Sequence, residues 1–473
     1  MVLIYLCRRA GQTENIEEAK PLEETSSLIA SSFVRTRVKA AKELGMSISR
    51  RTVLKSVLGA SSAVALPSGV FAPALAQARP VRIGILAPRS GIAASAGISG
   101  LRATEWAVEK FNAAGGIAGR KIELVVEEET NPKDTIERFQ RLVQQEKVDC
   151  VQGIVSTGVG LALGPVVEES RALTIFWDGT TQDGVEEKLP NPKYLFRSTD
   201  NECEAVMSSL LAIKHWKGQF KRIAGINPDY SYGRNNMAAF VALLKRFNIE
   251  HEVVTEQWPK VGTMELTSHV AALKSAKPDL IFSSLLFADL PVFMKQAHAA
   301  ELTTGTKLVF PAAGWQHTLM KKDFTPEGMI FGHNTLYFDN PNASAVQKEF
   351  VAWYADKHKD YPNWEADRAY FSLASYKAAV EAAAKAKGGQ WPSPDDVAGA
   401  MVGLSVESLG GKGSWRSDKI ADQTFVQGFS TYSNKYDFVT LDPARIETMY
   451  SADLQKPAGG NFWEWLKTAQ FKV

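Results

Sequence analysis

From residue 81 onward, short runs of β-branched and aliphatic residues alternate with longer stretches whose apolar positions recur every three or four residues. The first kind fits buried strands and the second fits amphipathic helices. Strands are predicted over 81–87, 122–126, 148–155 and 172–177, with helices over 100–112, 135–145 and 161–170 between them. In the first helix, Leu101, Trp106 and Phe111 fall at helical spacing. A second series repeats the pattern, with strands over 222–226, 252–256, 280–285, 308–310 and 329–332. Its helices are predicted near 204–216, 234–247, 265–275 and 289–300. The remainder changes character: long helices over 343–358 and 366–386 precede a strand over 425–432. Strands alternating with helices imply parallel sheets made of crossover units. The fold class is therefore α/β, with two Rossmann-like lobes. In such sheets ligands sit beyond the carboxyl ends of the strands, so two lobes facing each other across those ends would enclose a cleft.

Ahead of this pattern lies a different one. Ser49, Arg50 and Arg51 lead into an apolar run over 53–70, and Ala76, Gln77 and Ala78 close it. A charged start, an apolar middle and a small-x-small end make an export signal, here of twin-arginine type. Pro67, Ser68 and Gly69 interrupt the run, which is shorter than the ~20 apolar residues needed to span a bilayer. Met46 stands where such a signal begins. Residues 1–45 are thus read as lying upstream of the true start, residues 46–78 as the signal, and the rest as a soluble periplasmic protein.

Charge supports that division. Residues 1–78 hold ten Lys and Arg against six Asp and Glu, so the remaining 395 residues carry 44 basic and 46 acidic side chains, a net of −2. A near-neutral surface without basic runs argues against nucleic acid or anionic membrane as partner. Cys150 and Cys203 remain beyond the signal; whether they pair depends on geometry.

Sites of chemistry are sparse. The seven histidines are scattered without metal-ligand spacing. No nucleophile elbow or phosphate-binding P-loop occurs. The acidic run Glu127, Glu128 and Glu129 reads as a solvated strand end. Gly158, Gly160 and Gly164 follow a strand, and Asp178 ends the next one, which imitates a dinucleotide fingerprint with its third glycine one place too far. An exported nucleotide-dependent oxidoreductase is the alternative of a different class. The same turn also fits an anion site without a cofactor: Ser156 and Thr157 bring hydroxyls and backbone N–H groups to a helix start. The turn from Asp178 through Gly179 to Thr180 and Thr181 offers a second set of donors.

Several segments occur together in order: 81–91, the Phe111–Ile117 turn, 153–158, and Asp229 to Gly233 through Tyr230 and Tyr232. Over about 79–432 the chain resembles the periplasmic substrate-binding proteins of ABC transporters in the Leu/Ile/Val-binding family. That resemblance implies a type I periplasmic binding fold, a Venus-flytrap of two lobes joined by three hinge crossovers near 200, 333 and 420. The lobes would comprise 79–200 plus 334–419, and 201–333 plus 420–473. It further implies a monomer that binds a small-molecule solute and hands it to permease subunits, with no catalytic step, cofactor or metal.

Position by position, the resemblance places ligand contacts at Ser156, Thr157 and Thr180 for a carboxylate, and at Tyr232 and Tyr370 for the rest of the solute. The family's ammonium-neutralising glutamate falls at Ala312 and its immediate neighbours, the assisting tyrosine at Leu286 beside Phe287, and the capping tryptophan at Ala96. A buried ammonium without a counter-charge costs several kcal/mol, so the expected solute is a carboxylate lacking an α-amine, such as an aromatic or aliphatic acid. Trp177 and Trp315 are close in sequence to pocket positions. Asp178 either caps its turn or meets a cation or amide N–H, which would favour an amide-, urea- or amino-acid-type solute.

Overall fold

The computed structural model describes residues 79–178, 180–198 and 202–471. The upstream segment and the export signal, Gly179 of the second donor turn, and residues 199–201 of the first crossover lie outside the described residues.

The first lobe begins with β1 (Val81–Ala87), whose apolar run is buried on both faces, as a central parallel strand requires. It continues through α1 (Ala94–Ala113), β2 (Ile122–Glu128), α2 (Pro132–Gln144), β3 (Cys150–Gly153), α3 (Thr157–Ser170), β4 (Thr174–Phe176), α4 (Gln182–Lys188) and β5 (Leu195–Arg197). These strands form one parallel sheet in the order β2-β1-β3-β4-β5. Helix α1 starts at Ala94, ahead of the predicted residue 100. Glycine disfavours helix by roughly 1 kcal/mol per residue, and Gly97 and Gly100 occupy this segment. Packing reverses that preference: a Cβ on Gly97 would lie 1.9 Å from the Pro88 carbonyl oxygen, and one on Gly100 would lie 2.5 Å from the Trp177 ring.

The second lobe contains α5 (Glu202–Trp216), β6 (Arg222–Ile226), α6 (Ser231–Arg246), β7 (Glu252–Gln257), α7 (Thr267–Ala276), β8 (Leu280–Phe282), α8 (Asp289–Ala299), β9 (Lys307–Phe310) and β10 (Ile330–Gly332). Its strands repeat the first arrangement in the order β7-β6-β8-β9-β10, again parallel. Cys150 and Cys203 sit in the separate cores of the two lobes and are not bridged to each other.

The chain then returns to the first sheet. Helices α9 (Ala345–His358), α10 (Glu365–Ala386) and α11 (Pro394–Met401) follow, and Phe371, Tyr376 and Val380 of α10 share a core with Ile83, Ile175 and Trp177. A small antiparallel sheet of β11 (Ser405–Ser408), β12 (Gly411–Trp415) and β13 (Ala421–Asp422) comes next. Its short, glycine-bearing strands carry no hydrophobic alternation by which to predict them. Strand β14 (Thr424–Thr431) joins the second sheet antiparallel to β10, and β15 (Thr440–Leu441) and β16 (Glu447–Tyr450) pair with it. Helix α12 (Phe462–Thr468) buries Phe462 and Leu466 in the second core. The start of α12 also reaches the first lobe: the Glu186 carboxylate on α4 accepts from the Asn461 side-chain amide at 2.7 Å and from Phe462 N–H at 3.0 Å.

The lobes meet over buried polar groups. Arg368 of α10 sits with its side chain 1% exposed, and its Nη1 lies 2.5 Å from Asp178 Oδ2 and 3.6 Å from Glu365 Oε1. Glu204 of α5 accepts from the Tyr232 hydroxyl and from Asn334 Nδ2, bringing the second lobe and the middle crossover to the same cluster. Burial pushes the Glu204 carboxyl up to about 7 and Asp367 up to about 6, and it holds Glu365 well above the usual carboxylate range, with the Asp178 charge adding to the effect. Arg368 is the guanidinium that this group of acids shares.

Two outcomes follow from this packing. Gly100→Ala drives a methyl into the Trp177 ring and should cost about 1–3 kcal/mol, read as a lower urea midpoint. The second concerns pH. The ordinary Glu value is 4.5, so the folded chain keeps a proton on Glu204 that the unfolded chain has released, and stability falls as pH rises from about 4.5 through about 7. Buried His317 and His333, held below 6.5 by burial, act in the opposite sense at lower pH. Above 6.5 the acids are left to dominate. The urea midpoint should therefore drop between pH 6.5 and about 8, and Glu204→Gln should remove part of that drop.

Candidate functional site

In both sheets the chain leaves the first strand to one side and later crosses to the other. That creates a switch point beyond the carboxyl ends of β1 and β3 in the first lobe, and of β6 and β8 in the second. Helices on opposite faces diverge there and leave a crevice. The two switch points face each other and enclose a cavity of about 520 Å³, within the range of small-molecule sites. Pro88 to Ala93 after β1 and Val155 to Gly158 after β3 line one side. Tyr230 and Tyr232 after β6, and Leu286 and Phe287 after β8, line the other. A second cavity of about 530 Å³ lies between α4 and the segment entering α12, away from both switch points.

Two residues at these strand ends hold left-handed backbone: Ile154 with φ 65° and Phe287 with φ 52°. A branched or bulky side chain in that region costs of order 1–3 kcal/mol and persists only where neighbours enforce it. Ile154 is so enforced. Its N–H donates to the Leu86 carbonyl at 2.8 Å, and its own carbonyl accepts from Asp178 N–H at 3.1 Å. The bend throws Val155, Ser156 and Thr157 into the cavity.

The walls are aromatic. Tyr230 and Tyr232 stack with centroids 5.8 Å apart at 30°, and Phe287 lies 4.8 Å from Trp315 at 31°. Trp315 also meets Trp364 of the first lobe at 4.4 Å. At the same contact Gln316 Nε2 donates to Ser95 Oγ at 2.8 Å across the lobes. The mouth is narrowed where Ile92 approaches the backbone at Gly262.

The polar end is built around α3. Ser156 is the N-cap residue, yet its hydroxyl makes no capping bond to its own helix, which leaves it turned to the cavity. Glu129, just past β2, is 4% exposed and accepts from Val155 N–H at 2.8 Å and Ser156 N–H at 2.9 Å. Burial outweighs these two bonds and pushes its carboxyl up to about 7, with the Asp178 charge contributing. Lys260 stands exposed at the rim, and Asp229 beside it is paired with Arg234 at 2.5 Å.

Of the residues singled out from sequence, Ser156, Thr157, Asp178, Tyr232, Leu286 and Phe287 line the cavity together. Four do not. Trp177 points the other way along its chain segment, into the first core against Gly100. Thr180 is engaged by Arg197, which donates to its hydroxyl at 2.8 Å and its carbonyl at 2.9 Å. Ala312 is buried behind Trp315, and Tyr370 packs on Trp106 and Phe111. Asp178 closes an ion pair with Arg368, a role neither alternative anticipated. The glycines that imitate a dinucleotide loop lie within α3, where Gly164 makes room for the Leu189 side chain.

Trp315, close in sequence to a pocket position, lines the cavity, whereas Glu129, Tyr230 and Arg368 had no assigned ligand-contact role. Tyr230 follows the end of a predicted strand at a switch point, and Glu129 follows the end of predicted strand β2 beside one, signals present in the sequence. Arg368 is paired to the site only by the return of α10, which sequence spacing does not reveal. Among the described residues no helix is long and apolar enough to cross a membrane, and no cluster of metal-ligating side chains occurs.

Residues 80–431 match the profile of the periplasmic binding protein family. The chain is 28% identical over 346 residues to the Leu/Ile/Val-binding protein homolog 7 of Brucella abortus (strain 2308), covering 70% of this chain and 82% of the relative. Among solved structures it is similar to a solute-binding protein of an ABC transporter from Rhodopseudomonas palustris BisB5 in complex with 3,4-dihydroxybenzoic acid. That match has a TM-score of 0.68 and 22% identity, covering 78% of this chain and 97% of the other. It is also similar to LivJ from Streptococcus pneumoniae in complex with isoleucine, with a TM-score of 0.63 and 17% identity over 79% and 100% of the two chains. The two facing switch points, the crossovers between the lobes and the enclosed cavity are the architecture of such receptors, and the chain belongs to the periplasmic binding protein family.

Proposed function

We propose that this chain is a periplasmic receptor, exported through the twin-arginine route, that delivers a small aromatic carboxylate lacking an α-amine to the permease subunits of an ABC importer. The observation that carries the reading is the pairing of an aromatic-walled cavity with the Ser156 and Thr157 hydroxyls at the head of α3. A ring between Tyr230 and Trp315 gains apolar burial and favourable ring contacts. Its carboxylate meets hydroxyls and the positive end of a helix. No acid occupies the position of the ammonium-binding glutamate, where Ala312 stands, so an amino acid would leave its ammonium without a counter-charge there. The R. palustris relative holds 3,4-dihydroxybenzoic acid, which is of the same chemical class.

A second reading has its own support. Glu129 and Asp178 both line the cavity, and carboxylates favour an amide or urea N–H over an anion.

Solute binding stabilises the closed arrangement of lobes, in which Trp315 and Gln316 meet Trp364 and Ser95. The protein performs no chemistry on its solute, and it acts as a monomer. Isothermal titration with benzoate, 4-hydroxybenzoate, their amides and leucine tests the reading. The acids should bind, and Trp315→Ala should weaken them by about tenfold, or about 1.4 kcal/mol. Tight binding of leucine, or of the amides alone, would overturn it.

A further inference from the structure

The backbone turn that the solute's anion is expected to meet already holds an anion of the protein's own. Both oxygens of Glu129 are spent on the N–H groups of Val155 and Ser156, the two that precede α3. The side chain is nearly sealed, yet it forms part of the cavity lining beside Ser156, Thr157 and Asp178. We propose that Glu129 is the charge selector of this cleft: its carboxylate occupies the donor pair at the head of α3, and a solute carboxylate binds beside it only when Glu129 carries a proton.

The charged groups around Glu129 come from both lobes, and on its own side Arg89 and Arg138 act on the adjacent Glu128. Glu128, the preceding residue, is turned outward to the Ser90 hydroxyl at 2.5 Å. Asp178 at the end of β4 adds negative charge, and the guanidinium behind it is committed to Asp178 and Glu365. From the second lobe Asp229 is matched by Arg234, Tyr230 contributes a neutral hydroxyl with burial and nearby acids holding its proton in place, and Lys260 stands exposed at the rim. An incoming carboxylate therefore faces Glu129 and Asp178 in the cavity lining, with Lys260 exposed to solvent at its rim. Two like charges at such a site cannot both be ionised at little cost, and one of them takes up a proton. Glu129 titrates at about 7, so it is the group that gives way. Binding of a monoanion then takes up a proton wherever Glu129 is ionised, approaching one well above pH 7, and weakens as pH rises through 7. Binding of a neutral isostere does not.

This inference rests on the carboxylate reading above, and the test separates the two. Affinities of benzoate and benzamide are measured by titration calorimetry at about pH 6 and about pH 8.5, in the unaltered chain and in Glu129→Gln. In the unaltered chain the benzoate-to-benzamide affinity ratio should fall about tenfold or more over that interval. In Glu129→Gln, which keeps the volume without the charge, it should stay level, and benzoate at high pH should bind about tenfold tighter than in the unaltered chain. If the variant does not fold, the fall of the ratio in the unaltered chain decides alone. A ratio that is independent of pH in the unaltered chain, or that falls equally in both, overturns the role of Glu129 while leaving the carboxylate reading standing. Binding of benzoate by the variant but not by the unaltered chain supports the role of Glu129 and overturns the carboxylate reading. Benzoate binding by neither protein overturns both.

Discussion

The placement of the cavity floor depends on one buried guanidinium. Arg368 enters on α10, a helix that the chain reaches only after completing most of the second lobe, and Asp178 lies at the end of β4. Desolvating both charges is expensive, and removing one partner of such a pair typically costs about 3–5 kcal/mol because the other is left uncompensated. The pair therefore ties the late helix to the early strand in one register. Glu365 and Glu204 share the same guanidinium, which favours their ionised forms, but burial outweighs it and holds both carboxyls above the usual carboxylate range. A network of this kind adds little net stability. It makes alternative placements of α10 costly, and with them any shift of the turn that carries Asp178.

The cavity walls follow from topology more than from any motif. Two sheets of identical strand order bring equivalent crevices face to face, and both crevices use strained backbone to turn side chains inward, at Ile154 in one lobe and Phe287 in the other. Hydroxyls and a helix terminus come from the first lobe, and most of the aromatic surface comes from the second. Neither half is a binding site by itself, so recognition of a solute and closure of the lobes are one event.

The periodicity of apolar residues made both sheets legible, and with them the loops at which a ligand would sit. That is why Ser156, Thr157, Tyr232, Leu286 and Phe287 converge as expected from residues far apart in the chain. The residues that do not line the cavity stay out of it for identifiable reasons. Trp177 and Asp178 are adjacent, and their side chains leave opposite faces of the segment, so only one of them reaches the cavity. Thr180 lies in a loop whose hydroxyl is consumed by Arg197, a partner that pattern alone does not assign. Glu129 was hidden in an acidic run that resembles a solvated strand end, although its position just after β2 made it the member directed at the neighbouring turn. The early start of α1 escaped because the apolar spacing begins only at Leu101, and the contacts that Gly97 and Gly100 make with the Pro88 carbonyl and the Trp177 ring are not visible in the pattern. Long-range partners of buried charges are what one-dimensional spacing omits.

The clasp at Glu186 bears on how far the jaws can travel. The polypeptide leaves the second lobe, touches α4 of the first, and turns back into the second as α12, so its last helix is moored to both lobes. Swinging wide must either stretch this tether or unhook its two hydrogen bonds. In a receptor whose lobes swing apart, as proposed, the terminal segment would act as a check-strap on the outward stroke without supplying a single residue that faces the solute.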